Sequence, residues 1–154
     1  MTLKLLEAVI DAVSDYIKDN IAAKIAALNT EYEDSLLVAP KAYYLGNVPD
    51  ELPEFPSIAF QGQDWTPEAQ NSSSLEVSHH VNIYIYVGDA TEETRFRILC
   101  RYARAIVELL NTGESTYGYT HAITGPVAPS DTLNASGFLQ AIIIPVTFWS
   151  YEDY

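Results

Sequence analysis

Apolar residues recur along the first 28 positions at three- and four-residue spacing. Leu6, Ile10, Val13, Ile17, Ile21, Ile25 and Leu28 form a single stripe, which predicts an amphipathic helix from about Leu3 to Leu28 with Thr2 as its N-cap. Glu7, Asp11, Asp15 and Asp19 make a second, acidic row at four-residue spacing on the same helix. Between Leu36 and Leu45 the apolar run is broken by Pro40, and the pattern predicts one bent strand or two short ones. Pro49, Pro53 and Pro56 then exclude a helix or central strand, so an ordered, extended loop is expected before a strand over Ser57 to Gln63. Asp64 to Ser74 is polar and reads as an excursion between strands.

The clearest alternation runs from Leu75 to Val87. Val77, His79, Val81, Ile83, Ile85 and Val87 point one way, and Ser78, His80, Asn82, Tyr84 and Tyr86 the other. Gly88 to Thr91 breaks that strand. A second helix should start at Thr91 with Thr94, or at Asp89 with Glu92 and Glu93, and close near Asn111 or Gly113. Its spacing gives Phe96, Leu99, Cys100, Ala103, Ile106, Val107 and Leu110 as the buried face, with Arg97, Arg101 and Arg104 opposite. Strands over Thr116 to Thr124 and Gly137 to Trp149 complete the pattern, joined by a Pro/Ser/Asn loop. Pro145 inside the last strand implies a sheet edge or a bulge. The order helix, strands, helix, strands predicts one α+β domain over residues 1–154, a mostly antiparallel sheet covered by two amphipathic helices.

Charge narrows the function. The 154 residues carry 21 acids and 8 bases, a net charge of −13. Residues 1–76 hold 13 acids against 4 bases, residues 77–113 balance at 4 and 4, and residues 114–154 hold 4 acids and no base. This disfavours phosphate-gripping nucleic-acid modules and anchoring on anionic lipid. A 48% apolar, 12% aromatic composition excludes an unfolded acidic chain. Purely apolar runs stop at about four residues, as in Ile25 to Leu28, where a spanning helix needs about 20. Glu7 and Asp11 interrupt the apolar N-terminus, so a signal-peptide core is not expected. The single Cys100 permits no internal disulfide, and the cytosol is the default compartment. Asn71-Ser72-Ser73 and Asn134-Ala135-Ser136 are then plain loop residues.

No catalytic constellation emerges. Adjacent His79 and His80 leave a strand on opposite faces and do not share a metal. His121 and Cys100 read as packing or surface residues, and the abundant carboxylate pairs as solvated surface. No nucleophile elbow, P-loop or dinucleotide fingerprint is present, so neither enzyme nor cofactor is expected. Eleven tyrosines are more informative, because Tyr84, Tyr86, Tyr117 and Tyr119 have strand period and tyrosine is enriched at interfaces.

The N-terminal helix, the segment Tyr43-Tyr44-Leu45-Gly46-Asn47-Val48-Pro49 with Leu52-Pro53-Glu54-Phe55-Pro56-Ser57-Ile58-Ala59-Phe60, the strand His80 to Val87, the helix Arg101 to Leu110 and the hydrophobic last strand together give a layout. It resembles the tail terminator (tail completion) proteins of long-tailed bacteriophages. The resemblance implies a small α+β protomer closing into a homohexameric ring at the end of the tail tube. The ring would stop tube growth and join the tail to the head connector. Its partners would be its own copies, the tail tube protein and the connector or neck proteins. DNA would pass without being bound, no membrane would be involved, and the protein would assemble in the host cytoplasm into the virion. On this reading Asp11, Asp15, Asp19, Asp64 and Glu68 are candidate channel-lining acids, since like-charged walls disfavour phosphate adsorption. Arg97, Arg101, Arg104, Tyr84 and Tyr86 are candidate contacts between subunits. The alternatives are another phage neck or head-completion protein and, from a different class, a cytosolic small-molecule-binding α+β domain or an enzyme with a site built from loops.

Overall fold

The computed structural model describes residues 6–46, 54–69, 74–88, 91–130 and 140–153. Its elements run α1 (Leu6–Tyr32), β1 (Ala42–Leu45), β2 (Ser57–Ala69), β3 (Ser74–Val87), α2 (Glu92–Tyr117), β4 (Thr120–Ile123), β5 (Ala128–Ser130) and β6 (Gln140–Asp153). The fold is α+β. The strands form one sheet in the order β1-β2-β3-β6-β4, with β5 also paired to β6. Every pairing is antiparallel except β1 with β2.

Period-2 alternation places Ile58, Phe60, Val81, Ile83, Ile85, Ile144, Val146 and Phe148 on one sheet face, all buried. α1 crosses that face over β2 and β3, and α2 lies over β3, β6 and β4. The α1 stripe Ile10, Val13, Ile17, Ile21, Ile25 and Leu28 is buried there, as its spacing predicts. The helices are antiparallel: Lys24 of α1 pairs with Glu108 of α2, Glu31 with Arg104, and Asp34 with Arg101.

Several boundaries differ from the sequence expectation, each for a local reason. α1 runs on to Tyr32. The segment after it, expected to be extended from Leu36, forms strand only at Ala42. Its backbone groups are taken by side chains instead. Asn29 receives the Leu37 N–H at 3.2 Å and donates to the Leu37 carbonyl at 2.9 Å, and the Tyr102 hydroxyl donates to the Val38 carbonyl. The polar stretch from Asp64 is not an excursion. β2 continues through it to Ala69 and pairs with β3 down to Ala69↔Leu75, after a bulge at Gly62/Asp64. Because β1 stops opposite Phe60, the far half of β2 is an edge among the described residues. An edge accepts exposed Asp64 and Glu68 and the missing N–H of Pro67.

The α2 face is rotated from the expected one. Leu99, Ala103, Ile106 and Leu110 are buried, but so are Tyr102, Ala105 and Leu109, while Phe96 is 49% exposed and Cys100 is exposed. α2 packs against α1 on one side and the sheet on another, which demands a broad apolar arc, and the Phe96–Cys100 ridge falls outside it. Thr91 caps the N-terminus, accepting the Thr94 N–H at 3.2 Å. The helix does not end at Asn111 or Gly113. It reaches Tyr117, so Tyr117 is a buried helical residue, not part of a strand. The closing glycine is Gly118, left-handed at φ 86°.

β6 is an interior strand, so Pro145 is not at a sheet edge. Its carbonyl accepts the Thr124 N–H at 3.0 Å, on the side where β4 ends and β5 has yet to begin. The absent Pro145 N–H faces that gap, which removes its cost. Thr2, residues 47–53, Asn71-Ser72-Ser73, Asn134-Ala135-Ser136 and the start expected for the last strand at Gly137 lie outside the described residues.

Candidate interaction surfaces

The α2 arginines divide by their position along the antiparallel helix pair. Arg101 reaches Asp34 at 2.6 Å and lies 4.0 Å from the centre of the Tyr32 ring. Arg104 pairs with Glu31 at 2.7 Å and with Glu108 at 2.9 Å, and donates to the Tyr32 hydroxyl at 3.0 Å. The hydrogen bonds that Arg104 donates to Glu31, Glu108 and Tyr32 hold its guanidinium above its ordinary value. The Arg101 hydrogen bond lowers the Asp34 carboxyl, and those from Lys24 and Arg104 lower Glu108. Arg97 differs. Among the described residues its one ion-pair partner is its helical neighbour Glu93, at 3.0 Å, and its own side chain is 57% exposed.

The acidic row occupies another place. Asp11, Asp15 and Asp19 are exposed on α1, and among the described residues none has an ion-pair partner. The helices lie side by side, yet the arginines meet Glu31 and Asp34 and not this row. Antiparallel packing sets the first half of α2 against the end of α1. Asp64 and Glu68 stand far from α1's acids in the chain, exposed on the outer half of β2, and Asp64 contacts the His80 ring.

No helix among the described residues covers the second face of the sheet. At its centre Tyr84 and Tyr86 stack with rings 5.9 Å apart and 8° from parallel. Tyr86 is 3% exposed, packed with Ala59 and Ala141 and flanked by Tyr44 and Phe55. Burial, and then the neighbouring Tyr84, push its hydroxyl up to about 12. Tyr84 keeps part of its ring accessible. Farther along the same face Tyr151 is 67% exposed.

Two of the three histidine side chains, His79 and His121, are buried. His79 and His80 leave β3 on opposite faces, as expected. His79 is buried with Nε2 3.0 Å from Ser150 Oγ. His121 lies between the Tyr117 hydroxyl, 2.5 Å from Nδ1, and Asn111 Oδ1, 3.0 Å from Nε2. Among the described residues no group of three or more His, Cys, Asp or Glu side chains could hold a metal ion. No helix among them is long and apolar enough to cross a membrane.

One apolar groove was not legible in the sequence. Leu6, Ile10, Leu45, Gly46 and Gly62 line it where the start of α1 crosses β1 and β2, and Glu7 and Asp11 form its rim. Gly62 gives Leu6 room here: a Cβ would stand 2.4 Å from Leu6 Cδ2, and the Leu6 side chain would have to shift. The groove joins residues from three elements, so no local spacing could disclose it. Compared with known proteins, the chain matches no family model and no curated protein.

Proposed function

We propose that the chain is a structural subunit of a homohexameric ring that caps the tail tube of a long-tailed phage, ends its growth and joins it to the head connector. The observation that carries this reading is the separation of charge across the helix layer. Asp11, Asp15 and Asp19 form an exposed row spanning about 12 Å along α1, and none of the three has an ion-pair partner among the described residues. The nearest cations of α2 are committed elsewhere, Arg101 to Asp34 and Arg104 to Glu31 and Glu108. Six such rows around a lumen would repel DNA phosphates and let the duplex slide, at a strength set by salt. The α+β architecture is the one the resemblance leads one to expect, and the uncovered sheet face with Tyr84 offers contact area on the opposite side.

The test is assembly. Purified protein, alone and mixed with tail tubes, is followed by light scattering and negative-stain electron microscopy. The expected result is rings of six copies, free or seated at tube ends. A chain that stays monomeric and leaves tube ends bare overturns the proposal, as does a ring whose lumen is neutral or basic.

A further inference from the structure

The groove between α1 and β1/β2 has a counterpart on the same chain. On the outer side of α2, Phe96 is 49% exposed, and Cys100, one helical turn on, is also exposed. Beside them stands Arg97. Its Nε and Nη2 donate to Glu93 Oε1, and among the described residues Nη1 has no acceptor and can meet another carboxylate. The groove presents the matching features: an apolar floor of Leu6, Ile10 and half-exposed Leu45, and the rim acids Glu7 and Asp11. Among the described residues neither rim acid has an ion-pair partner.

The two patches lie at opposite ends of the helix layer. Leu6 begins α1, whereas the Arg101–Asp34 pair ties the start of α2 to the end of α1, about 40 Å away along a 27-residue helix. One chain therefore cannot fill its own groove with its own ridge. Each copy offers one ridge and one groove, which is the condition for a head-to-tail contact that repeats until it closes.

We infer that the Phe96–Arg97–Cys100 ridge of one copy seats in the Leu6–Ile10–Leu45 groove of the next, with Phe96 on the apolar floor and Arg97 against Glu7 and Asp11. The inference rests on the ring reading above and specifies its subunit contact. It assigns Asp11 to that contact and leaves Asp15 and Asp19 to the lumen. Glu92 and Glu93 also face this junction from α2, and the first turn they occupy lies one turn before Arg97.

The native cysteine makes the test direct. A Leu45→Cys variant carries one thiol on each patch, Cys100 on the ridge and the new one in the groove. Treated with a short bismaleimide, it should give a ladder of covalent oligomers ending in a closed species without free thiol. Wild-type protein should give nothing beyond a Cys100–Cys100 dimer. Absence of the ladder overturns the inference, including the case in which the chain's own residues 1–5 fill the groove. So does a single dimer with all thiols consumed, which would mean two reciprocal contacts and no ring. As a second arm, Arg97→Glu should abolish oligomers and Glu7→Arg with Asp11→Arg should restore them. Rings that survive both Phe96→Asp and Arg97→Glu would sink this contact while leaving the ring proposal standing. A wild-type chain that forms no ring, alone or with tail tubes, would instead sink that proposal.

Discussion

Gly113 lies in the interior of α2, where glycine costs about 1 kcal/mol relative to alanine. In an open helix, Gly113→Ala would recover that amount. The structure predicts the opposite sign. A Cβ at Gly113 would sit 2.0 Å from Cζ and 2.2 Å from Oη of Tyr16 on α1. The Tyr16 ring is half-buried and makes an edge contact with Tyr117 at 5.5 Å, and Tyr117 is 6% exposed, so the ring has little freedom to swing away. Overpacking of this kind costs about 1–3 kcal/mol. Set against the propensity gain, Gly113→Ala should be destabilising by about 0–2 kcal/mol. With Tyr16→Ala as the background the obstruction is gone, and the same substitution should stabilise by about 1 kcal/mol. The coupling between the two sites is then about 1–3 kcal/mol. Urea unfolding of the four proteins measures it, with m-values required to agree so that midpoint shifts report stability. A Gly113→Ala protein stabilised by the same amount in both backgrounds would refute the reasoning.

Three further outcomes are expected. Burial holds the His79 and His121 imidazoles below their ordinary value of 6.5, His79 further through neighbouring His80, while Glu114 partly opposes the effect at His121. The unfolded chain therefore binds more protons than the native one just below pH 6.5, so stability is full above that pH and falls as pH drops toward the folded values. Unfolding midpoints between pH 7.5 and about 5 should show the decline, and His79→Gln should flatten it; an unchanged slope would contradict the assignment. Thr91→Ala removes the cap on α2 and should cost about 1 kcal/mol in thermal or urea unfolding, while Thr91→Ser should be close to neutral. Arg101→Ala should lower the melting temperature more than Arg97→Ala, because Arg101 is 12% exposed, spans two elements and stacks on Tyr32, whereas Arg97 is 57% exposed and pairs within its own helix; equal effects would show that the bridge between helices adds nothing.

Legibility in the sequence followed the range of the determining contact. The α1 stripe and the alternation in β3 depend on neighbours within a few residues, and both appear as read. The Thr91 cap is equally local. Gly113 was misleading because its reason is Tyr16, nearly a hundred positions away, and not the left-handed turn that Gly118 supplies five residues later. Cys100 and Phe96 were placed on the wrong side because the apolar arc of α2 faces both α1 and the sheet, and spacing alone cannot centre so wide an arc. The outer half of β2 looked like a loop because an edge strand beyond the helix layer buries little, so polarity there carries no strand signal. Among the candidate contacts, the sequence separated arginines from acids but not Arg97 from Arg101 and Arg104. That distinction comes from the antiparallel helix packing.

The same packing decides which arginine can report on assembly. α1 ends against its own macrodipole: its last turn holds Glu31 and no basic residue, and Glu33 and Asp34 follow at once. A helix C-terminus favours cations, so this end is locally unfavourable on its own. Arg101 and Arg104 supply the missing positive charge from α2, with Tyr32 lying under the Arg101 guanidinium. Their first role is thus internal. Arg101→Glu would set a carboxylate against Asp34 within the fold, and lost rings in that variant would not distinguish a broken contact between copies from a loosened helix pair. Among the described residues Arg97 is paired only with Glu93 one turn away, so its reversal leaves the joint between α1 and α2 intact. Loss of rings in Arg97→Glu at an unchanged melting temperature would therefore place the defect between copies, whereas loss accompanied by a fall in melting temperature like that of Arg101→Ala would place it inside the protomer.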